Sequence, residues 1–205
     1  MKSFILFVIF ASVLSRSVLA GFEEGVAAIE ANDMSLAFEE FRASAEQGHI
    51  DSQFNLGLMY EQGIGVRKDE RQSIVWYRKA AEQGNSNAQF NLAVLYENGR
   101  GSAVDFAQAN HWYREAAAQG DALAIGNLGM LYMRGQGVQA DKIAGLALLL
   151  LSATMDNSPQ NRARQNVAMT KGLTAKMIAE AQTLMAELSD AENIFVPLDQ
   201  YLARN

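Results

Sequence analysis

The chain has 205 residues, no cysteine, two prolines and a formal net charge of −6. Without cysteine there can be no disulfide framework, thiol nucleophile, thiolate metal site or lipid-modified N-terminal cysteine. The acidic balance argues against nucleic acid and anionic membrane surfaces as partners, since both are bound through clustered Lys and Arg; abundant Ala, Leu, Met, Glu and Gln favour helix over strand.

The N-terminus reads MKSFILFVIFASVLSRSVLA. Lys2 precedes an almost unbroken apolar run over residues 4–14, and Val18-Leu19-Ala20 supplies compact residues at −3 and −1 of a signal-peptidase site. The run is too short to cross a hydrocarbon layer of roughly 30 Å as a helix. The pattern predicts a secretory signal, residues 1–20, cleaved after Ala20 although Arg16 lies close to the cut; an uncleaved N-terminal anchor is the alternative. Cleavage removes Lys2 and Arg16 and leaves a more acidic chain. That chain is expected in the periplasm or the medium, without membrane insertion.

Residues 22–48 read as a capping hairpin of two helices with a short connection. A 36-residue period follows without a gap. Asn55, Asn91 and Asn127 align, as do Leu56, Leu92 and Leu128, and Tyr60, Tyr96 and Tyr132. Gly63, Gly99 and Gly135 follow, then Gly65, Gly101 and Gly137, then Asp69, Asp105 and Asp141. Trp76-Tyr77 aligns with Trp112-Tyr113, and the third copy has Leu148-Leu149 there. Such a period marks a repeat architecture.

Each unit reads as a helix pair, with repeats at about 50–84, 86–120 and 122–156. Ser52, Leu56, Gly57 and Tyr60 mark one face of a first helix; Ser73, Trp76, Tyr77, Ala80 and Ala81 mark one face of a second. Asp69 and Asp105 occupy N-cap slots, with Gln72 and Gln108 three residues on, a capping-box spacing; Asp33 and Asp141 fill the same slot without the Gln. Gly48, Gly84 and Gly120 close the second helices, where a left-handed residue belongs. Gly57, Ala93 and Gly129 are small enough to let helix backbones approach. After the repeats, cap helices are expected over 158–188. Ser158-Pro159 would open the first of them, Gly172 would close it, and Thr174 would cap the second. Residues 189–205 read as an apolar tail. The sum is about ten helices in one all-α domain without a sheet.

The pattern A/S-Q-x-N-L-G/A-x-x-Y-x-x-G-x-G, then Asp, then W-Y-x-x-A-A-x-x-G, resembles the Sel-one-like repeat (SLR) family, a subclass of the tetratricopeptide-like helical repeats. The resemblance covers three full units and a partial one before them, where Phe41, Ala45 and Glu46-Gln47-Gly48 match Tyr77, Ala81 and Glu82-Gln83-Gly84. It implies an all-α, right-handed α-solenoid that works mainly as an interaction scaffold.

Several features invite a chemical reading. The turns GIG, GRG and GQG resemble a phosphate loop, but such a loop follows a strand and no strand pattern precedes them; a positive-φ turn between helices explains them. His49 and His111 are too few and too separated for a metal site, and no HExxH or serine elbow accompanies them. No metal or other cofactor is expected. Trp76, Tyr77, Trp112 and Tyr113 fall on a helical stripe and read as core rather than as a stacking platform. The apolar run over 143–155 sits in repeat register and reads as a buried second helix.

The row of Asn55, Asn91 and Asn127 is the feature most suggestive of binding. In tetratricopeptide-like folds the first helices line a concave groove, and an amide there can pair with a peptide backbone as both donor and acceptor. The alternative is a structural tie to a neighbouring turn. Phe54, Phe90, Gln62, Asn98 and Arg134 vary more and would tune partner choice. The expected function is an exported scaffold or adaptor binding a protein or peptide partner. A structural part of an envelope assembly (secretion, polysaccharide export or flagellar motor) is the alternative. Exported relatives linked to β-lactam binding or hydrolysis carry a cysteine pair in each repeat, which this chain lacks, and it shows no serine–lysine motif; an enzyme is not expected.

Overall fold

The structure, a computed structural model, describes residues 19–204. The predicted signal lies outside the described residues except for Leu19 and Ala20, which begin α1 (19–30). Ten further helices follow: α2 Met34–Glu46, α3 Ile50–Gln62, α4 Glu70–Glu82, α5 Ser86–Asn98, α6 Phe106–Ala118, α7 Ala122–Arg134, α8 Lys142–Met155, α9 Ala163–Met169, α10 Ala175–Asp190 and α11 Phe195–Leu202. Among the described residues there is no strand, and no helix is long and apolar enough to cross a membrane.

The chain forms two compact units. Among the described residues, unit 1 comprises those up to Ala88 together with Arg100–Ser102, and unit 2 comprises Gln89–Gly99 and those from Ala103 on. In unit 1, α2 packs on α3 and α3 on α4. Its core holds Phe38, Phe41, Leu56, Met59 and Trp76, with Phe22 and Tyr60 against it. In unit 2, α6 packs on α7 and α7 on α8, and α8 is covered further by α9, α10 and α11. The predicted burial of the apolar run over 143–155 holds for most of its length: residues 144–149 and 151–153 are buried, while Thr154 and Met155 are exposed. Tyr77 and Tyr113 are fully buried, and Trp76 and Trp112 nearly so.

Local chemistry sets the helix ends. Asp33, Asp69, Asp105 and Asp141 all cap helices, each carboxylate accepting from a first-turn N–H at 2.8–3.1 Å. The reciprocal half of the expected capping box is supplied differently. The N–H groups of Asp69, Asp105 and Asp141 donate to the carbonyls of Tyr60, Tyr96 and Tyr132 at 2.8, 3.0 and 2.9 Å. The cap donor is thus satisfied by the preceding helix, which is why Asp141 caps as well as Asp69 does without a Gln after it. Gly48, Gly84 and Gly120 adopt the left-handed conformation expected of them.

The second glycine of each G-x-G turn has a further reason to be glycine. A Cβ on Gly65 would lie 2.0 Å from the Met34 carbonyl oxygen, one on Gly101 2.4 Å from that of Glu70, and one on Gly137 2.3 Å from that of Phe106. Each turn therefore presses bare backbone against the first residue of the second helix one repeat earlier. Arg100, the middle residue of the second turn, reinforces its contact: its guanidinium bonds Glu70 at 2.8 Å and Glu61 at 2.9 Å. The Arg100 and Lys68 hydrogen bonds hold the Glu70 carboxyl below its ordinary range.

Two expectations at the C-terminus are corrected. Ser158-Pro159 does not open a helix. Asp156 accepts from the Ser158 N–H at 2.8 Å and the Asn161 amide bonds the carbonyls of Ser152 and Asp156 at 2.9 Å, folding 156–162 into a turn. The cap helix begins only at Ala163, and it ends before Thr170, so Gly172 lies in the connection that follows. The tail contains a helix of its own, α11, which raises the count among the described residues to eleven. Thr174 caps α10 as expected, accepting from Met177 at 3.2 Å.

Candidate functional site

In unit 2 the candidate residues Phe90 and Asn127 meet. They line a cleft of about 160 Å³ with Leu123 and Gly126, walled on the far side by Gln160, Asn161, Arg162 and Asn166. The C-terminal turn and α9 thus supply polar groups opposite the faces of α5 and α7. The register of the first helices places Phe90 and Asn127 there, since one lies two residues before Leu92 and the other one residue before Leu128, both fully buried.

Asn127 is also bound to the core. Its amide donates to the Tyr113 hydroxyl at 3.0 Å, and that hydroxyl donates to Glu97 at 2.6 Å. Burial first, and the Glu97 carboxylate next, push the Tyr113 hydroxyl far above its ordinary value, so it remains a protonated donor at physiological pH. The Phe90 ring lies 5.9 Å from that of Tyr113. The chain Asn127–Tyr113–Glu97 fixes the cleft floor.

Unit 1 repeats part of this arrangement. The Phe54 ring lies 5.8 Å from Tyr77, whose hydroxyl donates to Glu61 at 2.8 Å. Asn55 donates to the Asp51 carbonyl on its own helix at 2.9 Å. Asn91, half-buried, is engaged as well. Gln62, Asn98 and Arg134 are exposed. Each lies seven residues after its asparagine, on the same helix face roughly 10 Å along the axis. The Asn98 amide bonds the Val94 carbonyl at 2.8 Å.

A match to the family model described as Sel1 repeat covers residues 50–85, 86–121 and 122–157, just over half of the chain. The chain belongs to the Sel1 repeat family. Its fold class is accordingly that of an SLR α-solenoid, built of repeated helix pairs. Among solved structures it is similar to a Sel1 repeat protein from Oxalobacter formigenes, at 27% identity and a TM-score of 0.66, covering 85% of this chain and 73% of that one. It is also similar to a protective antigen of uropathogenic Escherichia coli strains displaying an SLR fold. There the identity is 27% and the TM-score 0.51, and 97% of this chain spans about half (51%) of that one. Comparison with curated proteins gave no match. Sel1 repeats generally serve as non-enzymatic scaffolds that bind protein partners.

Two residues outside the asparagine row now stand out. Arg114 on α6 is ion-paired with Asp199 at 2.6 Å and lies 4.0 Å from the centre of the Phe195 ring, and so anchors α11. Asn161 holds the C-terminal turn that walls the cleft. Arg114 carries a sequence signal of its own, since Arg42, Arg78 and Arg114 recur every 36 residues. Asn161 carries none, because it lies beyond the repeats. The histidines are occupied structurally. His49 caps α3, its Nδ1 3.2 Å from the Ser52 nitrogen, and His111 is exposed beside Trp112. Among the described residues no group of three or more His, Cys, Asp or Glu could hold a metal ion.

Proposed function

We propose that the chain is an exported interaction scaffold that binds a protein or peptide partner, possessing no chemistry of its own, through the face of its first helices. In unit 2 that face carries Phe90 and Asn127, and in unit 1 Phe54 and Asn55. The observation that carries the reading is the cleft at Phe90 and Asn127, which joins an aromatic wall to amides that can pair with a peptide backbone. Gln62, Asn98 and Arg134, two turns along the same faces, are the residues set to tune partner choice. Export rests on the signal pattern of residues 1–20. A soluble regulator in the bacterial envelope fits this reading best; membership of an envelope assembly differs from it only in the partner.

Mature protein recovered from the periplasm or medium should begin at Gly21 on N-terminal sequencing, and full-length chain in the cytoplasm would contradict export. Replacing Asn55, Asn91 and Asn127 together by Ala should weaken partner binding more than tenfold, equivalent to about 1.4 kcal/mol. Helical content should hold, because Ala is a strong helix former. Loss of the Asn127–Tyr113 bond should itself cost about 1 kcal/mol of stability. Unchanged binding, with melting shifted by more than that, would reduce the row to structural ties.

A further inference from the structure

The C-terminal helix α11 is bound in unit 2 by a set of residues that recurs in unit 1. Arg114 pairs with Asp199 at 2.6 Å, faces the Phe195 ring at 4.0 Å and approaches the Tyr132 hydroxyl at 3.4 Å. Leu202 lines a space of about 360 Å³ together with Tyr132 and Val138. Tyr201 meets Asp141. Burial first, then the Asp141 and Glu180 charges, push its hydroxyl up to about 12.

Seventy-two residues earlier, at twice the repeat period, stand Arg42, Tyr60, Val66 and Asp69. The electrostatic setting is similar in part. Burial raises the Tyr60 hydroxyl while Arg42 lowers it and Asp69 raises it, as Arg114 and Asp141 do at Tyr132. The occupancy is different. The cleft along Tyr60, Val66 and Asp69 is about 850 Å³, lined by α3, α4 and the turns beside them, with no counterpart of α11 among its lining residues. Arg42 has partners on its own helix, an ion pair with Glu39 and the Phe38 ring at 5.8 Å, and its side chain stays 46% exposed. An exposed local pair of that kind contributes little and exchanges easily. The rim also differs in charge. Arg67, Lys68 and Arg71 stand where unit 2 has Gln139, Ala140 and Ile143, while Glu70, paired with Lys68 at 3.0 Å, stands where unit 2 has Lys142, so the rim is more basic than its counterpart by one net charge.

We propose that the Arg42–Tyr60–Asp69 face docks a short acidic amphipathic helix of a partner protein, built on the pattern of α11: an aromatic residue, an acid four residues on, then a tyrosine or leucine two or three residues later. Phe195, Asp199 and Leu202 fall at i, i+4 and i+7, one helix face, so a partner helix with that spacing presents ring, carboxylate and aliphatic group together. The acid takes Arg42 from Glu39, the ring stacks on the guanidinium, and the aliphatic end enters beside Val66. The inference rests on the reading that the protein binds proteins, but on a face that does not include the asparagine row.

A fluorescein-labelled peptide of residues 191–204 tests it, titrated into the intact purified protein. Saturable one-to-one binding is expected. Arg42→Glu should weaken it at least tenfold, Arg114→Glu should leave it unchanged, and a peptide carrying Asp199→Lys should recover binding to Arg42→Glu. Absent binding, or binding lost in Arg114→Glu and kept in Arg42→Glu, overturns the proposal; the latter would mean exchange with the protein's own α11. A concentration-dependent dimer abolished by Arg42→Glu would overturn it too, by making a second copy the occupant. The triple asparagine variant should bind the peptide normally, so failure here and failure of the asparagine row are separate results.

Discussion

Gly65→Ala is expected to destabilise the protein by more than about 3 kcal/mol, a large fraction of a typical total of roughly 5–15 kcal/mol. Two effects combine. Gly65 has φ +68°, a conformation that costs an L-residue about 1–2 kcal/mol. The new Cβ, fixed by the backbone that bears it, would also lie 2.0 Å from the backbone carbonyl oxygen of Met34, so relief requires the turn to leave the start of α2. Gly84→Ala is the control. Its φ is +90°, yet a Cβ there meets nothing within 4 Å, so it should cost only the conformational strain. Urea denaturation of both variants checks the difference; equal losses would show that the turn does not hold the helix pairs together.

Trp112→Ala should cost about 3–5 kcal/mol, since a nearly buried ring is removed from unit 2 and the surrounding helices relax only in part. For a chain of this size that is a fall in melting temperature on the order of 10 °C. Trp112→Phe should be much milder. The indole Nε1 is buried without a hydrogen-bond partner among the described residues, so its removal leaves no group unpaired. Val75→Ala, at an exposed position of α4, should change stability by less than about 0.5 kcal/mol. Unchanged melting of Trp112→Ala would return this residue to the surface and revive an aromatic platform.

The repeats were legible because their signals are local and recur. Leu56, Leu92 and Leu128 mark the buried stripe, Asp69, Asp105 and Asp141 the caps, and the glycines the turns. The features that depart from the expectation turn on particular partners that no repeat position marks. The capping box failed because the Asp69 N–H finds the Tyr60 carbonyl nine residues upstream. Ser158-Pro159 resembles a helix start, but Asp156 and Asn161 hold those residues in a turn. Helix α11 starts with local signals that the tail reading passed over, the Asn193 side chain accepting from the Phe195 N–H at 2.9 Å and Pro197 in the first turn. Arg114, with α8 and α10, holds it in place. At the candidate site the 36-residue spacing singled out the asparagines, but their neighbours depend on helix register. Asn127 reaches Tyr113 whereas Asn55 turns to its own helix, and identical spacing gives no hint of the difference.

Site-specific photo-crosslinking in living cells tests the scaffold reading most directly. A photoreactive residue replaces Phe90 or Leu123, both lining the unit 2 cleft, with His111, exposed on α6, as the comparison position. One discrete protein adduct is expected from positions 90 and 123, recovered from the envelope or medium and absent from position 111. Adducts of equal yield from all three positions, or none from 90 and 123 in cells that export the protein, would contradict it.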